Sequence, residues 1–294
     1  STGAHLNMPV QESITLSLAR EGKQATRLGQ VGAAAIMGTI VGAGFVWLAM
    51  GNEWVSFKGT YLIAACCALA GAVMILSMGR VERHNQPRRK VFVFKRRYSL
   101  YYGLCALYGV RKQVFMTFGP WVMIRIFDQR AQTIAFLWVV YSVIGIFLRP
   151  LVGRLIDKWG ERRILVSEGL ILAVVCITYA VAGGMPESKT ALHAVMAAYV
   201  VDQMCFAVSM ARTTYLSKIL ERPEDISGGL SAGISIDHMM SMGVPFLGGM
   251  LWARHGFYWV FIAATGVALA SSALSMAVKV PGRLERAEPG GEGA

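Results

Sequence analysis

Charge is scarce in this chain. Only 16% of its 294 residues are charged, against about 25% in an average soluble domain, while 55% are hydrophobic and the mean hydropathy is +0.49. A soluble chain of this length needs a polar coat around one or two cores, and this composition does not supply one. Cysteine is sparse as well. The five, Cys66, Cys67, Cys105, Cys176 and Cys205, all lie in apolar stretches, with no CxxC pair and no Cys/His cluster. Neither a disulfide framework nor a metal site is suggested. Glycine-rich phosphate loops and nucleophile elbows are also missing, so the sequence offers no catalytic residue, metal ligand or cofactor site. Acids are outnumbered, 17 against 29 Lys and Arg, for a formal charge of +12. A basic surplus can mark a nucleic-acid partner. Here the cations gather at the ends of apolar runs, so no nucleic acid is expected.

What is present is long apolar runs. Crossing about 30 Å of hydrocarbon at about 1.5 Å per residue takes about 20 residues. Eight runs qualify, at residues 29–50, 59–79, 99–124, 131–150, 164–183, 191–217, 227–251 and 257–278. Gly, Ala and Ser recur within them, as where membrane helices pack closely. One such run can be a soluble core helix; eight with short connections cannot. An all-α, polytopic helix bundle in a lipid bilayer is predicted. Alternate connections carry 21 Lys and Arg, including Arg149 and Arg154, and the other set carries five. By the positive-inside rule both termini are cytoplasmic, in a multi-pass protein of the cell membrane. The remaining cations, Arg111, Lys112 and Arg212, fall inside spans.

The organisation is uneven. Residues 1–28 read as a cytoplasmic segment, 29–79 as two helices, 80–98 as a basic cytoplasmic linker, 99–279 as a six-helix bundle and 280–294 as a cytoplasmic tail. Residues 6–18 are mildly apolar but too short and polar to span; they read as the end of an earlier helix. Residues 13–47 and 213–252 echo each other, each a helix end, a charged turn and a small-residue span closing on Gly-x-x-Trp. Pro120, Pro150 and Pro245 predict kinks or breaks. Trp54, Trp121, Trp252 and Trp259 read as interfacial belt residues, and Met239, Met240 and Met242 as lipid-facing or packing.

After the fourth run the chain reads Gly153-Arg-Leu-Ile-Asp157-Lys158-Trp-Gly160-Glu-Arg162-Arg163. Gly153 and Gly160 allow a tight turn and close helix approach. Asp157 can pair with nearby cations or sit at a helix N-terminus, with Glu168 joining it. Lys158, Arg162 and Arg163 hold the loop in the cytosol. This segment resembles the cytoplasmic signature of the major facilitator superfamily. The resemblance implies twelve helices in two six-helix halves joined by a basic linker. Here that linker follows only two spans. On that plan the chain carries helices five to twelve, with a complete C-terminal half and four earlier helices missing. The stretch 233–252 also looks like superfamily relatives of unassigned substrate.

Ionisable groups within spans are costly and mark pathways or buried pairs. Arg111 and Lys112 lie about 12 residues into the third run. Tyr101, Cys105, Tyr108 and Lys112 share a helix face, suited to an anionic or aromatic ligand; the alternative is a pair packed against a carboxylate of another helix. In the sixth run Asp202, Phe206, Ser209 and Thr213 share a face, with Arg212 either binding ligand or snorkelling. In the seventh, Ser231, Ser235 and His238 form a polar stripe beside Asp237. His238 titrates near physiological pH and the carboxylate beside it can tune that, so Asp237 and His238 form the proton-coupling pair. Arg111, Lys112, Tyr108, Asp202 and Arg212 are the substrate-binding candidates. Three deep cations against two deep acids tilt the expected small-molecule substrate toward an organic anion. The reading that follows is a secondary transporter working by alternating access, with the loop around Asp157 as a cytoplasmic gate. The alternative is a non-transporting membrane protein, or a half-transporter that needs a partner chain.

Overall fold

The computed structural model describes residues 2–51, 55–77 and 93–280. Ten α-helices account for nearly all of them: α1 (Thr2–Ser17), α2 (Gln24–Gly51), α3 (Phe57–Ser77), α4 (Ser99–Arg125), α5 (Ala131–Trp159), α6 (Glu161–Ala182), α7 (Lys189–Cys205), α8 (Ser209–Ile219), α9 (Asp225–His255) and α10 (Phe257–Met276). Each of the eight apolar runs overlaps one or more of these helices, residues 78–79 of the second lying outside the described residues. Four described helical stretches are long and apolar enough to cross a membrane: Phe136–Trp159, Glu161–Ala182, Lys189–Ile219 and Phe257–Met276. Most of the linker, residues 80–92, Trp54 and the tail from 281 lie outside the described residues.

The chain divides into two compact units, residues 34–89 and the remainder. The smaller holds the rest of α2 and all of α3, whose exposed faces are apolar: Val41 and Phe45 on α2, Tyr61, Leu62, Leu69 and Val73 on α3. The larger unit is a bundle in which α6 packs along α10 and α4 along α9. Small residues set these approaches. A Cβ on Gly169 of α6 would come within 2.6 Å of the Ser272 Cβ on α10, so only glycine lets those helices meet. Lipid tails supply no hydrophobic drive between helices, so close packing of this kind carries the association. The outward faces of α5, α6 and α9 show large apolar side chains, among them Phe147, Val174, Met239, Met242 and Phe246. That is the surface a hydrocarbon solvent requires.

Helix α1 covers residues 6–17, in keeping with their reading as part of a helix, and packs on α8 and α9. Several details differ from expectation. The sixth run is not one helix: a 3-10 turn at Phe206–Val208 separates α7 from α8. Pro120, Pro150 and Pro245 lie inside continuous helices and break none of them. The segment after the fourth run is mostly helix, since α5 continues to Trp159 and only Gly160 forms the turn, at φ +84°. Arg149 therefore lies ten residues inside α5, not in a loop. Trp252, near the end of α9, stacks on Phe118 with ring centroids 5.8 Å apart.

Two large buried apolar clusters fill the larger unit, beside a small third one of Leu172, Ala173, Cys205 and Ala268. One gathers Tyr98, Tyr101, Leu104, Ile156, Leu165, Leu216 and Leu230. The other centres on Phe115, Tyr179 and Phe261, with the Tyr179 and Phe261 rings stacked at 4.7 Å. On α4 the first ends at Cys105 and the second begins at Val114. Arg111 and Lys112 lie between them, and so on their own helices do Glu168, Asp202 and Asp237.

Candidate functional site

Those five residues and Arg212 form three ion pairs. Arg111 Nη2 donates to Asp202 Oδ1 at 2.7 Å and to the Asp202 carbonyl at 3.0 Å, joining α4 to α7. Side-chain exposure there is 5% and 0%. Lys112 Nζ donates to Asp237 Oδ2 at 2.7 Å, joining α4 to α9. Arg212 Nη1 donates to Glu168 Oε2 at 3.1 Å, joining α8 to α6. The pairs meet around one ring. The Arg212 guanidinium lies 3.8 Å from the Tyr108 ring centroid, Lys112 Nζ 5.7 Å and the Arg111 guanidinium 6.0 Å. Arg111 also sits 4.8 Å from the Phe206 ring, at the break between α7 and α8. Cations over aromatic faces gain attraction without needing a further carboxylate.

The expected residues are thus brought together, with partners the sequence did not assign. Arg111 and Lys112 adjoin in sequence but serve different acids. Asp237 is held by Lys112, and by Ser241, whose hydroxyl also donates to the Gly109 carbonyl at 3.0 Å. His238 is half-buried on the same helix. Glu168 does not join Asp157; it is the third deep acid, so this cluster holds three cations and three carboxylates. The argument for an anion from charge surplus therefore falls. Not every polar atom is satisfied: Arg111 Nε and Nη1, Arg212 Nη2 and Glu168 Oε1 are buried without a hydrogen-bond partner. Spare donors and acceptors at a buried site are costly unless something else meets them.

Two neighbours were missed by reading runs alone. Arg149 is half-buried, its guanidinium over Gly32, where a Cβ would lie 2.8 Å from Nη1. It has no ion-pair partner among the described residues. Glu12 of α1 accepts from the Thr213 hydroxyl at 3.0 Å. A Glu in a segment too short to span gave no signal. Arg149 could have been found by counting back along α5 from Asp157.

The Asp157 segment does something more specific than its charges suggested. Among the described residues Asp157 pairs with no cation. Its Oδ1 accepts from the Ala25 N–H at 3.1 Å, and its Oδ2 from the Thr26 N–H at 2.8 Å and the Thr26 hydroxyl at 2.5 Å. It caps the first turn of α2 from another helix, where orphan N–H groups and the positive end of the helix dipole both favour a carboxylate. Gly153 makes this possible, because a Cβ there would strike the Ala25 carbonyl. Lys158, Arg162 and Arg163 are exposed, while buried Glu161 accepts from Lys218. Near the linker's end, Lys95 bridges Asp225 at 2.6 Å and Glu221 at 2.7 Å, and these two, Asp225 foremost, raise the lysine's pKa. Asp157→Asn keeps the shape but loses the charge and one acceptor. We expect a stability loss of about 1–2 kcal/mol, typical of a helix cap. It is checked by thermal unfolding in detergent against Lys158→Gln, which should change nothing.

A family model described as the Major Facilitator Superfamily matches residues 2–236 and again residues 107–293. This chain belongs to the major facilitator superfamily. It is therefore a multi-pass membrane protein of a transporter family, all-helical as that fold requires. Among curated proteins no relative matches the chain.

Proposed function

We propose that this superfamily member is a secondary transporter that moves a small solute by alternating access, coupled to a proton. The observation that carries the reading is the ion-pair cluster around Tyr108. Buried pairs seldom repay their desolvation in stability, and charged groups inside a membrane bundle usually mark a pathway. Spare Arg111 and Arg212 donors beside Tyr108 offer a solute polar contacts and an aromatic face. Arg111, Lys112, Tyr108, Asp202 and Arg212 are assigned to solute binding. Arg149, half-buried on α5 and without a carboxylate partner among the described residues, favours an organic anion. Asp237 and His238 carry the coupling proton, since protonating Asp237 releases Lys112.

In this reading α2, α3, α4, α5, α6, α7 with α8, α9 and α10 make eight spans of the cell membrane. Both termini face the cytoplasm. The domain plan is the one expected above, with α4 to α10 as the six-helix half. The cap of Asp157 on α2 is the cytoplasmic gate. It forms where α5 and α2 meet and breaks when they part, and exposed Lys158, Arg162 and Arg163 keep that end in the cytosol.

The experiment is uptake into proteoliposomes under an imposed inward proton gradient, using a panel of radiolabelled mono- and dicarboxylates. A substrate of the wild type should be accumulated. Asp237→Asn should abolish the gradient-driven part and leave exchange between equal pools. Undiminished gradient-driven uptake in that variant would remove Asp237 from coupling.

A further inference from the structure

We propose that the junction of α2 with α5 carries a binding surface for anionic phospholipid headgroups, built jointly by the turn from α1 to α2 and the turn from α5 to α6. Neither transport nor the direction in which the termini face is needed for this.

Cations from two distant parts of the sequence meet here. The turn before α2 and its first residues bring Arg20, Lys23 and Arg27, all exposed. Around Gly160, the end of α5 and the start of α6 bring Arg154, Lys158, Arg162 and Arg163, also exposed. The Asp157 carboxylate joins the two sets, accepting from the N–H groups of Ala25 at 3.1 Å and Thr26 at 2.8 Å. Gly153, with its backbone against the Ala25 carbonyl, keeps the two helices in contact.

Acids do not answer these charges. Asp157 is occupied by α2, and Glu161 is buried on Lys218. Glu21 is the one exposed acid in the two turns. None of the seven cations has an ion-pair partner among the described residues. Like charges gathered within a Debye length of about 10 Å repel, and a phosphate shared between them relieves that repulsion. Five of the seven are arginines, whose planar forks take phosphate bidentately.

The surroundings favour a lipid phosphate over a free one. The turn at Gly160 joins two stretches long and apolar enough to cross a membrane, Phe136–Trp159 and Glu161–Ala182, so it lies at a bilayer surface. Beside the cations stand exposed apolar side chains, Leu18 on one turn and Leu151 and Trp159 on the other. A tryptophan at that level sits among headgroups, and clustered Lys and Arg at a membrane surface attract anionic lipid. Because each turn supplies part of the surface, a lipid that spans both holds α2 against α5.

Lipid retention by the full chain tests this. Purified protein is equilibrated in detergent micelles holding equal phosphatidylglycerol and phosphatidylcholine, and bound lipid is counted by native mass spectrometry. The wild type should retain phosphatidylglycerol about tenfold over phosphatidylcholine or better, and high salt should erase the preference. The joint change Arg154→Gln, Lys158→Gln, Arg162→Gln and Arg163→Gln should cut it about fivefold or more, the worth of about one such cation. Arg20→Gln, Lys23→Gln and Arg27→Gln together should do the same. Removing four exposed cations elsewhere, with Arg125→Gln, Arg130→Gln, Lys189→Gln and Arg254→Gln, should leave it intact. The wild type decides even if a variant fails to fold: no preference, or one that salt leaves unchanged, overturns the proposal. So does an equal loss in the control variant. Displacement of the lipid by inorganic phosphate would make a free anion the ligand and overturn it as well.

Discussion

Asp202→Ala lowers the stability of this chain by about 3–5 kcal/mol, the cost of breaking a buried pair and leaving its partner charged. Asp202 is fully buried and Arg111 nearly so, at 0% and 5% exposure. Two of Arg111's hydrogen bonds end on Asp202, one on its carboxylate and one on its carbonyl. Removing the carboxylate leaves the guanidinium with the carbonyl and the ring of Phe206, neither of which carries a compensating charge. Replacing both partners is a different matter. Arg111→Met with Asp202→Leu removes the whole desolvation burden and should recover most of the loss, because apolar substitutes for a buried pair are often neutral or better. The chain carries its own reporter. Cys105, Cys176 and Cys205 are buried, while Cys66 and Cys67 are exposed. A thiol-reactive fluorophore meets Cys66 and Cys67 only slowly, since they sit mid-way along the apolar α3, and gains a second phase from the three buried thiols on unfolding. The midpoint of that second phase on heating should fall in the single variant and return in the double. Equal midpoints in wild type and Asp202→Ala would mean the pair is not formed.

Gly109→Val separates α4 from α9 and costs about 3 kcal/mol or more, the upper end of overpacking. An ordinary Gly→Ala change in a helix gains about 1 kcal/mol of propensity. Here that gain is overridden, because a Cβ at residue 109 would strike the backbone carbonyl of Asp237 and come within 2.8 Å of its Oδ1. A flexible side chain can step aside; a helix backbone cannot. The same displacement pulls Ser241 off the Gly109 carbonyl and Asp237 away from Lys112. Gly109→Val should thus unfold early in the thiol assay. A substitution at Gly243, where a Cβ meets nothing within 4 Å, should be silent.

The two variants separate what was legible in the sequence from what was not. Apolar run length placed the helices of the bundle, and four described stretches are long and apolar enough to cross a membrane. Periodicity along α4 put Tyr108 and Lys112 on one face, and the structure brings Lys112 Nζ within 5.7 Å of that ring. Pairing across helices was out of reach. Arg111 and Lys112 turn to different helices because adjacent residues on a helix point about 100° apart, and which helix stands in each direction is a tertiary fact. Glu168 was misassigned to Asp157 for the same reason. The polar end of α1 hid Glu12. The break at Phe206–Val208 had no proline or glycine to announce it. The motif residues were readable as a turn, but their target, the first N–H groups of α2, lies more than 130 residues away in sequence.

That target has a mechanical consequence. Three hydrogen bonds from two successive residues of α2 converge on the two oxygens of one carboxylate. Gly153, its backbone against the Ala25 carbonyl, leaves little room to slide. A junction built this way does not stretch in proportion to load. A small displacement strains all three bonds together, and a larger one releases them together, exposing bare N–H groups and an unscreened charge at the same instant. Packed interfaces of this kind have two positions, not a continuum. The contact between α5 and the first turn of α2 should therefore behave as a snap fastener, with the protein spending its time either shut or open and almost none between.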